Sequence, residues 1–382
     1  MSLTKIKKII LFFLFYIFID YCFSHFILKK TNLWKQATRP DFNWRAKSDI
    51  YDHDFKPNVN VIEPWQNFKK KIITNSIGFR DRQNKLITKK NISQKRILLL
   101  GDSFIEGMGY DYEDTLAGKI QSYFGDKVEI LNAAVSSYSA GPYYLKTKYY
   151  LDQGYVFDQA IVFLDVSDIY DELFYQYSKN NDKIINHEIN KKKTPIHKKI
   201  FYSLGQNLTE NTILFRVLLK ISDQTEIYKN YIKLRYKASK EFGKNFFQTT
   251  KEDALFYRML SIDRGAWTSN DLLYDKIIPG LKKTDFFLKK LFLLFEKNKI
   301  KSTLIIYPWP NQIYFGDVKH QVYWEKFSKN NNINFINLYN EFENNNKKKL
   351  ILENFMKGDV HWNENGTEKI FRGLIKSKLF DE

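Results

Sequence analysis

Two short stretches carry residue types that together can perform acyl transfer at an ester. One is Gly101-Asp102-Ser103-Phe104, directly after an apolar run; the other is Asp359-Val360-His361, near the end of the chain. A serine hydroxyl is a weak nucleophile and needs a base at its proton. His361 can be that base. A carboxylate must then orient the imidazole and stabilise its charged form, and Asp359 stands two residues away. In an extended loop, residues i and i+2 point to the same side, so this contact is easy to make. The tetrahedral oxyanion needs preorganised donors. The backbone N–H groups of Ser103 and Ser137 are candidates, and the Ser167 hydroxyl is a third.

These residues must be positioned by rigid elements, and the apolar pattern supplies them. Short apolar runs at 96–100, 128–131, 159–164, 302–307 and 333–338 read as strands. Helical patterns occupy about 115–124, 143–151, 284–297 and 367–380. Gly154 suits a helix C-cap, and Asn365 with Glu368 suits an N-terminal cap pair. Strands alternating with helices imply a parallel sheet covered on both faces. The expected fold is therefore α/β, a three-layer α/β/α sandwich with a five-strand parallel sheet. Such sheets place their sites at the carboxyl ends of the strands. Ser103, the 132–137 loop and the 165–168 loop all fall there. Between the third and fourth strands, about 172–283 forms a basic, Tyr- and Phe-rich, largely helical insertion, longer than an ordinary crossover.

Gly-Asp-Ser-Phe after a first strand, with Asp-x-His before a C-terminal helix, resembles the SGNH, or GDSL-type, hydrolase family over roughly residues 75 to 380. The stretch Gly358-Asp359-Val360-His361-Trp362-Asn363 is similar to the membrane-associated branch that O-acetylates polysaccharides. The resemblance implies a flavodoxin-like sandwich and a Ser103–His361–Asp359 triad. It also implies a metal-free, cofactor-free reaction that hydrolyses or transfers acyl groups, often acetyl, on sugars or lipids. Three positions depart from the family's usual pattern. Asp-x-His is one residue shorter than Asp-x-x-His, Ser137 stands where glycine is usual, and Ser167 stands where asparagine is usual. A hydroxyl reaches less far than an amide. Loss of one oxyanion donor costs about 2.7–4 kcal/mol, so weaker oxyanion stabilisation is expected. A degenerate domain that binds glycan or assembles a membrane complex is the alternative, and a lipid esterase is another.

Other chemistry-bearing residues have plainer readings. Asp102 suits a turn-supporting role and Asp168 a loop-orienting one. Trp309 and Trp362 suit either sugar stacking or packing. His25, His53, His187, His197 and His320 lack the spacing of a metal cluster. The Phe and Leu stripe at 286–295 reads as a core-facing helix surface. One cysteine, Cys22, excludes an intramolecular disulfide.

The N-terminus reads as a cytoplasmic tail (1–8) and a signal anchor (9–28). Lys5, Lys7 and Lys8 precede an apolar run with no small-x-small cleavage site. Roughly twenty helical residues span a bilayer core. The leading lysines favour an exported body, although Lys29, Lys30 and Lys35 on the other flank oppose this. Asp20 lies near the far end of the span, where its carboxylate would approach headgroups. A juxtamembrane segment (29–95), containing Pro40, Pro57 and Pro64, is expected to wrap onto the hydrolase-like domain (96–382). The net charge is +18, with local clusters such as Lys191–Lys193. No zinc-finger or RNA-binding aromatic pattern accompanies it, so nucleic acid is not an expected partner. The expected partners are the membrane, an ester or carbohydrate substrate, and envelope-polysaccharide machinery.

Overall fold

The computed structural model describes residues 3–31, 44–65, 68–90, 93–187, 208 and 211–380. Pro40 and the Lys191–Lys193 cluster lie outside them. The chain forms two compact units. One comprises Met1–Phe42 with Asn190–Thr249, and the other Asn43–Ile189 with Thr250–Glu382.

In chain order, helix α1 (Leu3–Phe26) is followed by two antiparallel hairpins, β1 (Arg45–Ser48) with β2 (Asp52–Phe55), and β3 (Asn60–Trp65) with β4 (Phe68–Ile73). Then come β5 (Lys95–Leu100), α2 (Ser103–Glu106), α3 (Leu116–Phe124), β6 (Val128–Asn132), α4 (Ala140–Asp152) and β7 (Gln159–Leu164). A short hairpin, β8 (Tyr175–Tyr177) with β9 (Ile184–His187), precedes α5 (Ile213–Glu241) and α6 (Lys251–Leu260). The long α7 (Asp271–Lys297) leads to β10 (Lys301–Ile306), α8 (Lys319–Asn330), β11 (Asn334–Asn337) and α9 (Glu364–Lys376).

The second unit is an α/β/α sandwich. Its sheet has five strands, all parallel, in the order β11-β10-β7-β5-β6. Strands β5, β6 and β7 are apolar along most of their length and buried on both faces, as parallel strands between two helical layers must be. The order reverses between β5 and β7. In an open doubly wound sheet, the crevice at that reversal is where a site forms.

Several boundaries differ from the pattern-based expectation for local reasons. Helix α4 begins at Ala140, three residues early, and its C-cap is Gln153, with Gly154 next at φ +86°. Helix α7 begins at Asp271, thirteen residues early, because Asn270 accepts bonds from Leu272 and Leu273 N–H and the helix tolerates Pro279. Helix α9 starts at Glu364, with Asn363 as its cap through Gly366 N–H at 3.1 Å. Asn365 is turned instead to the Glu353 carbonyl. The 172–283 stretch is not wholly helical: it opens with β8–β9, and residues 250–283 belong to the sandwich unit. In α7, Phe287, Leu288, Leu291, Phe292 and Phe295 are buried and face the core, whereas Phe286 and Leu293 of the same stretch are exposed.

Candidate active site

The turn that carries Ser103 is built by three adjacent residues. A Cβ on Gly101 would lie 2.5 Å from Ile105 Cγ1, so only glycine lets the strand turn this sharply into α2. Asp102 then caps α2: its Oδ1 accepts from Phe104 N–H at 3.0 Å. Ser103 occupies the first helical position, with 7% of its surface exposed.

Residues 258 positions apart meet here. His361 Nε2 lies 2.8 Å from Ser103 Oγ. On the other side of the ring, Nδ1 lies 2.5 Å from Asp359 Oδ1, which also accepts from His361 N–H at 3.1 Å. The Asp-x-His spacing thus closes a tight loop in which one carboxylate oxygen fixes both the backbone and the ring. Burial opposes a charged His361, but contact with Asp359 outweighs it and raises the imidazole above its ordinary value. Burial likewise opposes a charged Asp359, yet the His361 contacts hold that carboxyl down to about 2. The ring is therefore oriented with Nδ1 as the donor to Asp359 and Nε2 facing the serine.

Ser103 Oγ also lies 3.0 Å from Asp102 Oδ2. The hydroxyl has one proton and two acceptors in reach. Burial, then the neighbouring Asp165, pushes Asp102 up to about 7. Of the two contacts, that of Ser103 Oγ with His361 Nε2 is the shorter. Asp102, Asp165 and Asp168 form a buried group whose carboxylate oxygens lie within 4.8 Å of one another. They are the only such group among the described residues. Each already holds donors: Asp165 those of Ser167 N–H (2.5 Å) and Trp309 Nε1 (2.7 Å), Asp168 that of the Tyr143 hydroxyl (2.8 Å). The guanidinium of Arg264, paired with Asp171, adds positive charge beside Asp165 and Asp102. The Trp309 and Tyr143 bonds tie the loop after β7 to the loop after β10 and to α4.

The remaining sequence-predicted residues fall in distinct settings. Ser137 adopts φ +66°, the left-handed conformation that explains why glycine would suit the position. Its carbonyl accepts from the Tyr175 hydroxyl at 2.8 Å. Ser167 Oγ is buried beside the Asp165 carboxylate. Trp309 and Trp362 are both 3% exposed, so neither offers a face to a sugar. Trp309 bonds Asp165, and Trp362 packs edge-on against Phe104 and Tyr307. His320 is buried against the Tyr339 hydroxyl, and burial pushes it down to about 3.

Sequence reasoning missed the supports of the 133–137 loop. Lys146 is fully buried and bonds Asp54 Oδ1 (2.8 Å) and the Ala133 carbonyl (2.9 Å). His53 Nε2 meets the Ser136 carbonyl at 2.8 Å, and Glu106 accepts Ser136 N–H at 2.5 Å. Asp54 and His53 come from β2, so the first hairpin braces a loop of the sandwich. The one cue was polar residues alternating with aromatics at 51–55.

A recess beside His361 is lined by Phe104, Met108, Tyr110, Leu116 and Trp362 and offers about 10 Å³, close to the space of one water. Two larger hollows, of about 390 and 600 Å³, contain none of the three aligned residues.

Fold and site together define a class of protein: a doubly wound sandwich with a serine, histidine and aspartate aligned at the switch point. Several solved structures are similar to this chain. The psychrotrophic esterase EstA from Pseudoalteromonas sp. is 11% identical, over 76% of this chain and 100% of its own, at a TM-score of 0.35. A GDSL-like lipase from Bacteroides thetaiotaomicron is 13% identical, over 76% and 91%, at 0.37. A catalytic mutant of the acetylxylan esterase Axe2 from Geobacillus stearothermophilus is 12% identical, over 76% and 95%, at 0.34. No protein-family model and no curated protein matches the chain.

Proposed function

We propose that this protein is a membrane-anchored serine esterase or O-acyltransferase of the SGNH type, acting on small acyl esters, acetyl above all, of envelope or exopolysaccharide carbohydrate. The observation that carries the reading is the hydrogen-bonded line Asp359–His361–Ser103. Ser103 Oγ attacks the ester carbonyl as its proton passes to His361 Nε2. The ester C–O bond then breaks, and His361 returns that proton to the departing alcohol. Water or a sugar hydroxyl attacks the acyl-serine and gives its proton to His361, and His361 returns that proton to Ser103 Oγ as the acyl–Oγ bond breaks. Hydrolysis and transfer share every step except the identity of that second hydroxyl.

A serine-reactive fluorophosphonate tests the nucleophile. The full chain should be labelled on the peptide containing Ser103, and the His361→Ala variant should not. Labelling elsewhere, or none in the folded protein, would overturn the assignment.

The oxyanion donors in this reading are the N–H groups of Ser103 and Ser137 and the Ser167 hydroxyl. The position of Ser167 after the carboxyl end of β7, beside the switch point, supports its part. Ser167→Ala is expected to lower kcat by roughly 10²-fold with little change in KM, as steady-state kinetics on an acetyl ester would show. An unchanged kcat would remove Ser167 from the oxyanion site.

The pH profile follows from His361. The base must be neutral, and its raised pKa places the acidic limb of kcat/KM above the ordinary histidine range. Asp359→Asn removes the negative charge that raises it, so the limb should move to lower pH while the maximal rate falls. A limb that stays in place would mean that another group sets it.

A further inference from the structure

Helix α1 is long and apolar enough to cross a membrane, and only 11% of its most apolar stretch is buried within the protein. Near its end, however, Asp20 and Ser24 are 7% and 0% exposed. What covers them is the start of α5. Ile213 N–H donates to Asp20 Oδ1 (3.1 Å) and Ser24 Oγ (3.1 Å), and Leu214 N–H donates to Asp20 Oδ2 (3.0 Å). Ser24 Oγ in turn donates to Asp20 at 2.7 Å. One turn on, Lys29 Nζ bonds Asn211 Oδ1 at 2.7 Å.

The first N–H groups of a helix lack intrahelical partners and carry partial positive charge. The residue that normally caps them, Thr212, makes no side-chain cap; its hydroxyl bonds the Leu208 carbonyl. Asp20 and Ser24 take that role from another helix. In lipid, where water cannot serve, such satisfaction is obligatory. The beginning of α5 is thus tied to the membrane-spanning stretch at the depth of Asp20.

The exposed face of α5 fits that depth. Val217, Leu218, Ile221 and Tyr228 are 43%, 50%, 56% and 65% exposed, and their spacing puts them on one helical face. Lys229, Lys233 and Lys240 are exposed on the adjoining face. Arg216 falls on the opposite side from the apolar stripe. An apolar stripe flanked by lysines, with a tyrosine where the two meet, is the pattern of a helix lying in a lipid interface.

We infer that α5 is a second membrane contact, an interfacial helix whose Val217–Leu218–Ile221 face enters the bilayer beside α1 and whose start is capped by Asp20 and Ser24. The bilayer is the partner because the apolar stripe begins where α1 holds the helix. The inference rests on α1 being a retained anchor, and it gives α1 a structural role that cleavage would abolish.

The full chain, with Cys22→Ala, would carry a nitrobenzoxadiazole label on one cysteine at a time and be reconstituted in phosphatidylcholine–phosphatidylglycerol vesicles. Brominated lipids then report depth by quenching. Phe15→Cys, in the middle of α1, reads the anchor and should be quenched by bromines deep in the acyl chains. Leu218→Cys and Ile221→Cys should be quenched several-fold more than Glu226→Cys by bromines near the headgroups. Adding Asp20→Leu should bring Ile221→Cys down toward the Glu226→Cys level. Quenching at Phe15→Cys but not at Leu218→Cys or Ile221→Cys overturns the interfacial helix alone; no quenching at Phe15→Cys overturns the anchor and the inference with it. Efficient disulfide formation between two copies at Ile221→Cys would identify a second chain as the occupant and also overturn it.

Discussion

Replacing Ser103 by alanine is expected to lower hydrolysis of an acetyl ester by roughly 10⁴- to 10⁶-fold, the range seen when a triad serine is removed. The proposed oxyanion donors and substrate binding should survive such a change, so a residual rate above that in water should persist. The fold should survive too. The cap on α2 comes from Asp102, and the sharp turn from Gly101. His361→Ala should cost about as much, and the double variant little more than either, because the two residues act on one proton. Circular dichroism would establish that the variants fold, and initial rates on a chromogenic acetyl ester would give the ratio. Equal rates in parent and Ser103→Ala would place the observed hydrolysis at another residue. No hydrolysis in either would leave transfer to a sugar hydroxyl, read by acetyl exchange onto an oligosaccharide, as the deciding assay.

The parts of this site legible in the sequence are those encoded within a few residues. Strand β5 shows as an apolar run, and Gly101-Asp102-Ser103 follows it at once. Asp359 and His361 are two residues apart, so their contact needs no knowledge of the fold. Joining the two halves required only the rule that parallel sheets put their sites at strand ends. What stayed hidden are contacts between distant segments with no shared pattern. Asp54 and Lys146 are 92 positions apart, and neither a lone lysine in a helix nor a lone aspartate in a short strand signals burial. Asp20 seemed aimed at headgroups, because its partners, the N–H groups of Ile213 and Leu214, lie more than 190 positions away. Trp309 and Trp362 were ambiguous for the same reason. Only the three-dimensional arrangement shows their faces covered by Phe104 and Tyr307.

The largest loss of stability is expected at Lys146. Its ammonium is 1% exposed at the side chain and bonds Asp54, itself 8% exposed. It also lies 4.8 Å from the centroid of Phe79 and 5.3 Å from that of Tyr138. Burial lowers the Lys146 pKa and raises that of Asp54, each opposed by the other's charge. A buried pair of this kind adds little net stability relative to apolar residues, but breaking it strands a charge. Lys146→Met should therefore cost about 3–5 kcal/mol in urea unfolding, with Asp54 left buried and the Ala133 carbonyl without its donor. Lys146→Met with Asp54→Leu should recover part of that loss, because no charge is left uncompensated. Recovery would be incomplete, since Asp54 also accepts from Phe55 N–H. Activity separates this role from chemistry. The pair braces the loop that presents Ser137, so the double variant should keep the pH limb of His361 while losing kcat. A single variant as stable as the parent would show that Asp54 takes up a proton at little cost, and that the loop is held by His53, Glu106 and Tyr175 alone.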